Sequence, residues 1–306
     1  MTTPTRWLAL ACIGASLAGI SAWTASARLP RHLRIPHHRV TRLERNGVTL
    51  HGDYYPNSGS RTLAILLHSC TPLGRESPLQ QALDALLARN HDVLSLDLRG
   101  FGSSKILRAI ESPEDVDWTG DLAAWVDRAH VEWGYDLDRI ALVGQATGAG
   151  VVISYLERYP DRPHRSVLIV PPRGDKLAPE MIEREDFEVR DRWARDTNHP
   201  ELPVEVARDL ARRMALEHLP EIIGDRPVLV VDTPRTMRTD LLGRVAESAP
   251  SVRTYIDPDV DHYFGTRNAP NRTMTRYGIR RWVPLVFVEG ESLEGAVGAM
   301  EEFLAR

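Results

Sequence analysis

Short apolar runs alternate with stretches of helical periodicity along most of this chain. The runs are rich in Val, Ile and Leu and are bounded by polar or turn residues, as is typical of strands buried on both faces. Asn46-Gly47 separates the first two runs and is a strong signal for a β-hairpin. The predicted strands cover residues 40–45, 48–55, 62–67, 91–98, 140–143, 166–170, 227–231 and 251–256.

The stretches between these strands place their apolar residues on one face of a helix. The second of them is predicted as one continuous helix over residues 113–132, and later helices are predicted near residues 237–248 and 292–304. Strands that alternate with helices predict an α/β fold with a mostly parallel, doubly wound sheet. The apolar faces of the first two helices consist of Leu79, Leu83, Leu86 and Leu87, and of Trp118, Leu122, Trp125, Val126 and Ala129.

Residues 173–224 interrupt this alternation. They are polar and heavily charged, and residues 180–195 and 204–217 favour helices by propensity. Ligands of parallel α/β sheets bind at the carboxyl ends of the strands. His68, Asp97 and Ala146 all lie at the carboxyl ends of predicted strands, so we expect them around one crevice. Residues 173–224 are predicted as a helical cap over that crevice.

The N-terminal segment differs from the rest of the chain. Arg6 precedes an apolar run over residues 7–23, which is followed by the small residues Ala25-Ser26-Ala27. This pattern is typical of a secretory signal peptide, although the run is also close to the length of a membrane span. We therefore predict a signal peptide or N-terminal membrane anchor at 1–27, a linker at 28–39 and the globular domain at 40–306. The protein is expected to be exported, periplasmic or secreted, with membrane contact only if residues 7–23 are retained.

Composition excludes several classes of function. With 38 basic and 42 acidic residues the net charge is −4, which does not favour nucleic-acid binding. The chain has no phosphate-binding G-K-[ST] motif, and its histidines lack the spacing of metal ligands, so we expect no cofactor and no metal. Cleavage after residue 27 would remove Cys12 and leave Cys70 without an intrachain disulfide partner.

The stretch most informative about chemistry is Gly144-Gln145-Ala146-Thr147-Gly148, directly after a predicted buried strand. The glycines permit a tight turn into a closely packed helix. This pattern matches the nucleophile elbow, G-x-S-x-G, except that alanine replaces the nucleophile.

Together with the His68 loop, the Asp97–Ser104 turn and the Asp261-His262 loop, this stretch resembles the α/β-hydrolase superfamily, in particular its capped esterase, lipase and peptidase-like branch. The resemblance implies that Ala146 occupies the nucleophile position and that His262 is the catalytic histidine. It also implies that the backbone N–H groups of Cys70 and Thr147 form the oxyanion hole.

Three positions depart from the family pattern. Ala146 has no attacking atom, Ser69 replaces a glycine, and no carboxylate stands where counting expects it after strand 227–231, although Asp232 and Asp240 are candidates. These departures favour a catalytically degenerate protein that binds a small molecule, an acyl-type ligand or a partner. The alternative is an active exported hydrolase of esters or amides. In that case Ala146 is an inactivating substitution, or Cys70 attacks with His68 or His262 as base.

Overall fold

The computed structural model describes residues 37–69, 74–107, 109–172, 204–233, 239–256 and 290–305. Eight strands in these ranges form one sheet. They are β1 (Arg39–Arg45), β2 (Val48–Tyr55), β3 (Leu63–Leu67), β4 (Asp92–Leu96), β5 (Ile140–Gln145), β6 (Arg165–Ile169), β7 (Val228–Asp232) and β8 (Val252–Ile256). Within the described ranges, no helix has the length and apolarity needed to cross a membrane.

The sheet has the strand order β1-β2-β4-β3-β5-β6-β7-β8. β1 and β2 form the predicted hairpin, with positive φ at Asn46 and Gly47 in the turn. β2 is antiparallel to β4, and every pairing from β4 to β8 is parallel. The predicted mostly parallel α/β sheet is therefore confirmed.

Seven α-helices connect or flank these strands in the described part of the chain. Their apolar faces cover both sides of the sheet, and the resulting two layers of core contain all the leucines and aromatic residues of the two predicted stripes. The helices are α1 (Pro78–Leu87), α2 (Trp118–Val131), α3 (Thr147–Arg158), α4 (Val204–Arg213), α5 (Leu219–Ile222), α6 (Thr239–Ser248) and α7 (Gly290–Ala305).

The predicted continuous helix over residues 113–132 was wrong at its beginning. Residues 113–116 form a separate 3₁₀ turn, and the chain leaves the helical region at Asp117, which has φ −72° and ψ 67°. The Asp117 carboxylate accepts a 3.0 Å hydrogen bond from the Gly120 N–H and so caps α2. A capping aspartate stabilises a new helix start more than it stabilises a helix interior, which explains the break.

The described part of the predicted cap lies against α3. α4 and α5 are separated by a 3₁₀ turn at Leu216–His218. The Ser154 hydroxyl donates to the Arg213 carbonyl at 2.9 Å, and the Leu216 N–H donates to the Pro172 carbonyl at 2.9 Å. Residues 173–203, including the helix predicted at 180–195, lie outside the described residues, as does the predicted signal peptide or anchor. The domain boundaries given above therefore remain predictions.

Candidate active site

The turn between β5 and α3 is sharp and tightly packed. Ala146 lies at its tip with φ 45° and ψ −110°, a conformation that side-chain-bearing residues rarely adopt. A Cβ atom on Gly144 would lie 2.3 Å from the Gly148 carbonyl oxygen, and one on Gly148 would lie 2.3 Å from the Leu67 carbonyl oxygen. The two glycines therefore allow α3 to approach the ends of β3 and β5, and the elbow predicted from the sequence is present.

A second strained residue lies beside the elbow. Val170 follows β6 with φ 47°, which is unusual for a β-branched residue. The Ala146 N–H donates to the Ile169 carbonyl at 2.8 Å, so the two strained residues belong to neighbouring, hydrogen-bonded chain segments. The Val170 N–H in turn donates to the Val231 carbonyl at 2.8 Å. Such conformations cost about 1–3 kcal/mol each and concentrate at functional sites.

The elbow also lies where the order of strands reverses. The chain proceeds from β3 outward to β4 on one side and then returns to β5 on the other, so β3 and β5 are neighbours in the sheet. Ligands of open α/β sheets bind beyond the carboxyl ends of the strands at such a switch point. The elbow and the segment that starts at His68 meet at this point.

His68 links the ends of β3 and β4. Its Nδ1–H donates to the Ser69 carbonyl at 2.5 Å, and its Nε2 accepts a 3.0 Å hydrogen bond from the Leu98 N–H. Complete burial lowers the pKa of the imidazole, which is consistent with this neutral tautomer. Both ring nitrogens are thus occupied, so in this arrangement His68 cannot deprotonate the Cys70 thiol, which leaves His262 as the base of that hypothesis.

Asp97 lies directly after β4, and its carboxylate binds the loops that follow β3 and β4. Its carboxylate accepts hydrogen bonds from the backbone N–H groups of Arg75 and Ser103, both at 2.8 Å, and from the Arg75 guanidinium. The Arg75 Nε–H donates to Asp53 at 2.8 Å. Arg75 and Asp53 were not predicted as site residues, because each of these contacts joins residues 22 positions apart in the sequence.

Among the predicted site residues, three have described side chains. Ala146 and Thr147 are half-buried at the elbow, and Thr147 is the first residue of α3. Asp232 is the last residue of β7, not the first after it, and is completely buried; its Oδ1 accepts a 2.6 Å hydrogen bond from the Thr233 N–H. All three lie at the carboxyl edge of the sheet, with β6 between the strands that end in the elbow and in Asp232.

The remaining predicted positions cannot be placed in the same way. The backbone of Asp240 belongs to α6, and Cys70 and His262 lie outside the described residues. Their predicted roles, like those of Ala146, Thr147 and Asp232, remain predictions.

A separate cavity of about 310 Å³ lies between α2, α3 and α4. Its wall is apolar at Val116, Val151 and Leu210 and charged at Asp117 and Arg158. No described residue from 140 to 150 lines it, so it is distinct from the elbow.

Comparison with known proteins agrees with this architecture. Residues 77–228, about half of the chain, match the family model described as serine aminopeptidase, S33. No curated protein sequence matches this chain.

Many solved structures have a similar fold. A soluble variant of monoglyceride lipase from Saccharomyces cerevisiae has a TM-score of 0.64 at 10% identity, covering 91% of this chain and 98% of the lipase. An esterase of Pyrococcus furiosus has a TM-score of 0.54 at 18% identity, with coverage of 84% and 96%. Est1E from Butyrivibrio proteoclasticus has a TM-score of 0.56 at 14% identity, with coverage of 87% and 99%.

At these identities the structural likeness shows the fold alone. The sheet order, the elbow and the family match together define the class of protein. This chain belongs to the α/β-hydrolase superfamily.

Proposed function

We propose that this protein is a catalytically degenerate α/β-hydrolase that binds a small acyl-type ligand at the elbow crevice. The observation that carries the proposal is Ala146. Its methyl side chain cannot attack a carbonyl, yet it lies at the tip of the strained turn where this fold supports a nucleophile.

The energetic consequence of losing the nucleophile is large. Removing a member of a catalytic triad leaves only about 10³–10⁴-fold acceleration over water, from the oxyanion hole and substrate binding. The strain at Ala146 and Val170 nevertheless persists. A site that keeps a costly geometry without its attacking atom supports a role in binding rather than turnover.

The chemistry of the elbow favours a carboxylate or carbonyl ligand. Thr147 begins α3, and the first N–H groups of a helix have no intrahelical acceptor. These groups lie at the positive end of the helix dipole, which stabilises a negatively charged or polarised oxygen. We infer that a fatty acid or ester would direct its oxygen towards this end of α3.

Calorimetric titration with hexanoate tests the proposal. We expect binding to the unaltered protein and loss of binding in Ala146→Leu, because the larger side chain occupies the elbow. Ala305→Leu is the matched control, since Ala305 is exposed at the end of α7, and it should bind normally. Equal binding by Ala146→Leu and the unaltered protein would place the ligand elsewhere and contradict the proposal.

An active hydrolase is the second candidate. It is favoured by the match to serine aminopeptidases and by neighbours that are described as esterases or a lipase. Fluorophosphonate labelling followed by mass spectrometry tests for an activated serine or threonine, and iodoacetamide inhibition tests for Cys70. Labelling of one residue together with ester hydrolysis would support this candidate and overturn the binding role.

We further propose that the protein is exported. The support is the charged, apolar and small-residue pattern of residues 6–27, which fits a cleavable signal peptide. N-terminal sequencing of protein recovered from the fraction outside the cytoplasmic membrane should begin near Arg28. An intact N-terminus in the membrane fraction would instead indicate an anchor.

A further inference from the structure

Three carboxyl groups and one guanidinium are buried together beneath α1. They are Asp53 on β2, Asp84 on α1, Asp97 after β4 and Arg75, with exposed fractions of 8%, 1%, 3% and 7%. If all three carboxyls were ionised, the cluster would carry an excess of two negative charges away from water. Burying unpaired charge is costly, so the distribution of protons in this cluster matters for stability.

Arg75 already pairs with two of the three carboxylates. Its Nε–H donates to Asp53 Oδ2 at 2.8 Å, and its Nη1 donates to Asp97 Oδ2. The Arg75 backbone N–H and the Ser103 N–H donate to the same Asp97 carboxylate. We call Arg75 with Asp53 and Asp97 the Arg75 clamp; it joins β2 to the loops that follow β3 and β4.

Within the described part of the chain, Asp84 forms no ion pair with a cation. Its Oδ1 accepts a long, 3.3 Å hydrogen bond from Gln80, whose amide also donates to Ser95 Oγ at 2.9 Å. Within the described residues, Asp84 Oδ2 and Asp53 Oδ1 are both buried without a hydrogen-bond partner. The negative charge of Asp53 thus acts on Asp84, and each of these two carboxyl groups has one buried oxygen without a partner among the described residues.

The other neighbours of Asp84 that the structure describes do not supply positive charge. Tyr55 of β2 and Ser95 of β4 lie beside it, and burial raises the pKa of the Tyr55 hydroxyl, which therefore stays neutral. β3 contributes only apolar residues. On α7, Glu301 instead accepts from Asn90 beyond the end of α1. Burial, together with the negative charge of Asp53, raises the pKa of Asp84 well above its usual range; hydrogen bonding with Ser95 and Gln80 and the charge of Arg75 partly oppose this.

We propose that Asp84 is protonated in the folded protein at neutral pH and acts as a pH-sensitive lock on the Arg75 clamp. When the pH rises, the Asp84 proton passes to solvent and the new carboxylate competes with Asp53 and Asp97 for Arg75. The loops held by Asp97 then loosen. This inference depends only on the fold and the cluster, and does not require the proposed ligand.

The direction of the pH effect follows from linkage. Because the pKa of Asp84 is raised on folding, its contribution to stability is complete below the unfolded pKa and is lost as pH rises through the folded pKa. In that window the unfolding equilibrium constant grows by up to about tenfold per pH unit relative to a variant that cannot ionise.

Hydrogen exchange of the Arg75 and Ser103 amides, both of which bind Asp97, tests the lock directly. We expect their protection factors to fall by up to about tenfold per pH unit as the pH rises from neutral to alkaline values in the unaltered protein, and to stay constant in Asp84→Asn. The Ala146 amide, which donates to Ile169, serves as the internal reference. Asp136→Asn is the matched control, because the Asp136 side chain is 77% exposed.

Urea unfolding across the same pH range provides the second measurement, with Asp84→Leu as another neutral variant if the amide disturbs packing. The lock predicts that the unaltered protein loses stability with rising pH relative to Asp84→Asn or Asp84→Leu. Parallel stability curves would overturn the proposal. So would an unchanged fall in Arg75 protection in either neutral variant.

Discussion

The elbow at Ala146 and the ion network at the start of α2 differ in the polar side-chain groups that they carry. At the elbow, strained backbone surrounds a side chain that has no polar atom. At α2, Arg99 is completely buried and donates two hydrogen bonds, at 2.7 and 2.6 Å, to Asp121. Arg45 then bridges Asp121 and Asp117, both at 2.7 Å. Both carboxylates of the network are paired with arginine, although Arg99 Nη1 is buried without a partner within the described residues, while the elbow presents only a methyl group.

Under the proposed loss of catalysis, this difference assigns the change to the crevice and not to the ion network. A chain losing its fold would be expected to show defects in buried ion pairs, since each broken pair leaves an uncompensated charge. Substitutions in the ion network and at the elbow are therefore expected to change the free energy of unfolding by different amounts.

The largest expected effect comes from the network. Arg99→Ala removes two of the three arginine hydrogen bonds to the buried Asp121 carboxylate and should lower the free energy of unfolding by about 3–5 kcal/mol, since hydrogen bonds to charged groups contribute about 1.5–3 kcal/mol each. Urea unfolding measures the change. Arg139→Ala is the control, because its ion pair with Asp136 is exposed and 4.0 Å long, and should change stability by less than about 1 kcal/mol. Equal losses in the two variants would mean that the buried Arg99 network contributes no more to stability than an exposed ion pair.

The packing of the elbow gives the next largest effect. Gly148→Ala adds a methyl group 2.3 Å from the Leu67 carbonyl oxygen, so stability should fall by about 1–3 kcal/mol. Gly298→Ala is a matched helical control with open space around the new methyl group, and should stabilise the protein by about 0.5–1 kcal/mol. Thermal unfolding distinguishes the expected loss of stability in Gly148→Ala from the expected gain in Gly298→Ala. A stabilised Gly148→Ala variant would mean that the elbow is not tightly packed.

The strain at the elbow predicts a smaller, opposite effect. Ala146→Gly permits φ 45° without a Cβ penalty and should raise the free energy of unfolding by about 1 kcal/mol. Ala149→Gly, at a buried position inside α3, should instead lower it by about 1 kcal/mol. If both variants lose stability equally, Ala146 carries no strain and one argument for a retained binding geometry fails.

The smallest effect is expected from restoring the nucleophile. Ala146→Ser should increase hydrolysis of short acyl esters by no more than about tenfold, because a serine also needs an oriented histidine and carboxylate. The initial rate of ester hydrolysis is the measurement, with Ser154→Ala in the same background to exclude a neighbouring hydroxyl. Robust esterase activity from the single change would show that only the nucleophile is missing.

Most of the fold could be predicted because its signals are local. The Asn46-Gly47 turn, the apolar runs and the stripe at Trp118 depend on residues close in sequence, and all three are confirmed. The break at Asp117 was missed because a cap and a helix interior differ by only about 1 kcal/mol, which periodicity does not resolve.

The candidate site was predicted less completely. The turn at Ala146 follows from Gly144 and Gly148, whose absent side chains are visible in the sequence. The positive φ of Val170 was not predicted, because it precedes Pro171 and residues before proline favour extended conformations.

By itself, the sequence determined the α/β alternation, the hairpin, the elbow and the absence of an attacking atom at position 146, because each is set by neighbouring residues. The tertiary structure alone decided which charged groups meet. Asp53 and Asp97 are each 22 positions from Arg75, and Asp84 reaches the same cluster from α1. Their encounter depends on the order of strands in the sheet, and electrostatic interactions act through distances in space that no local pattern encodes.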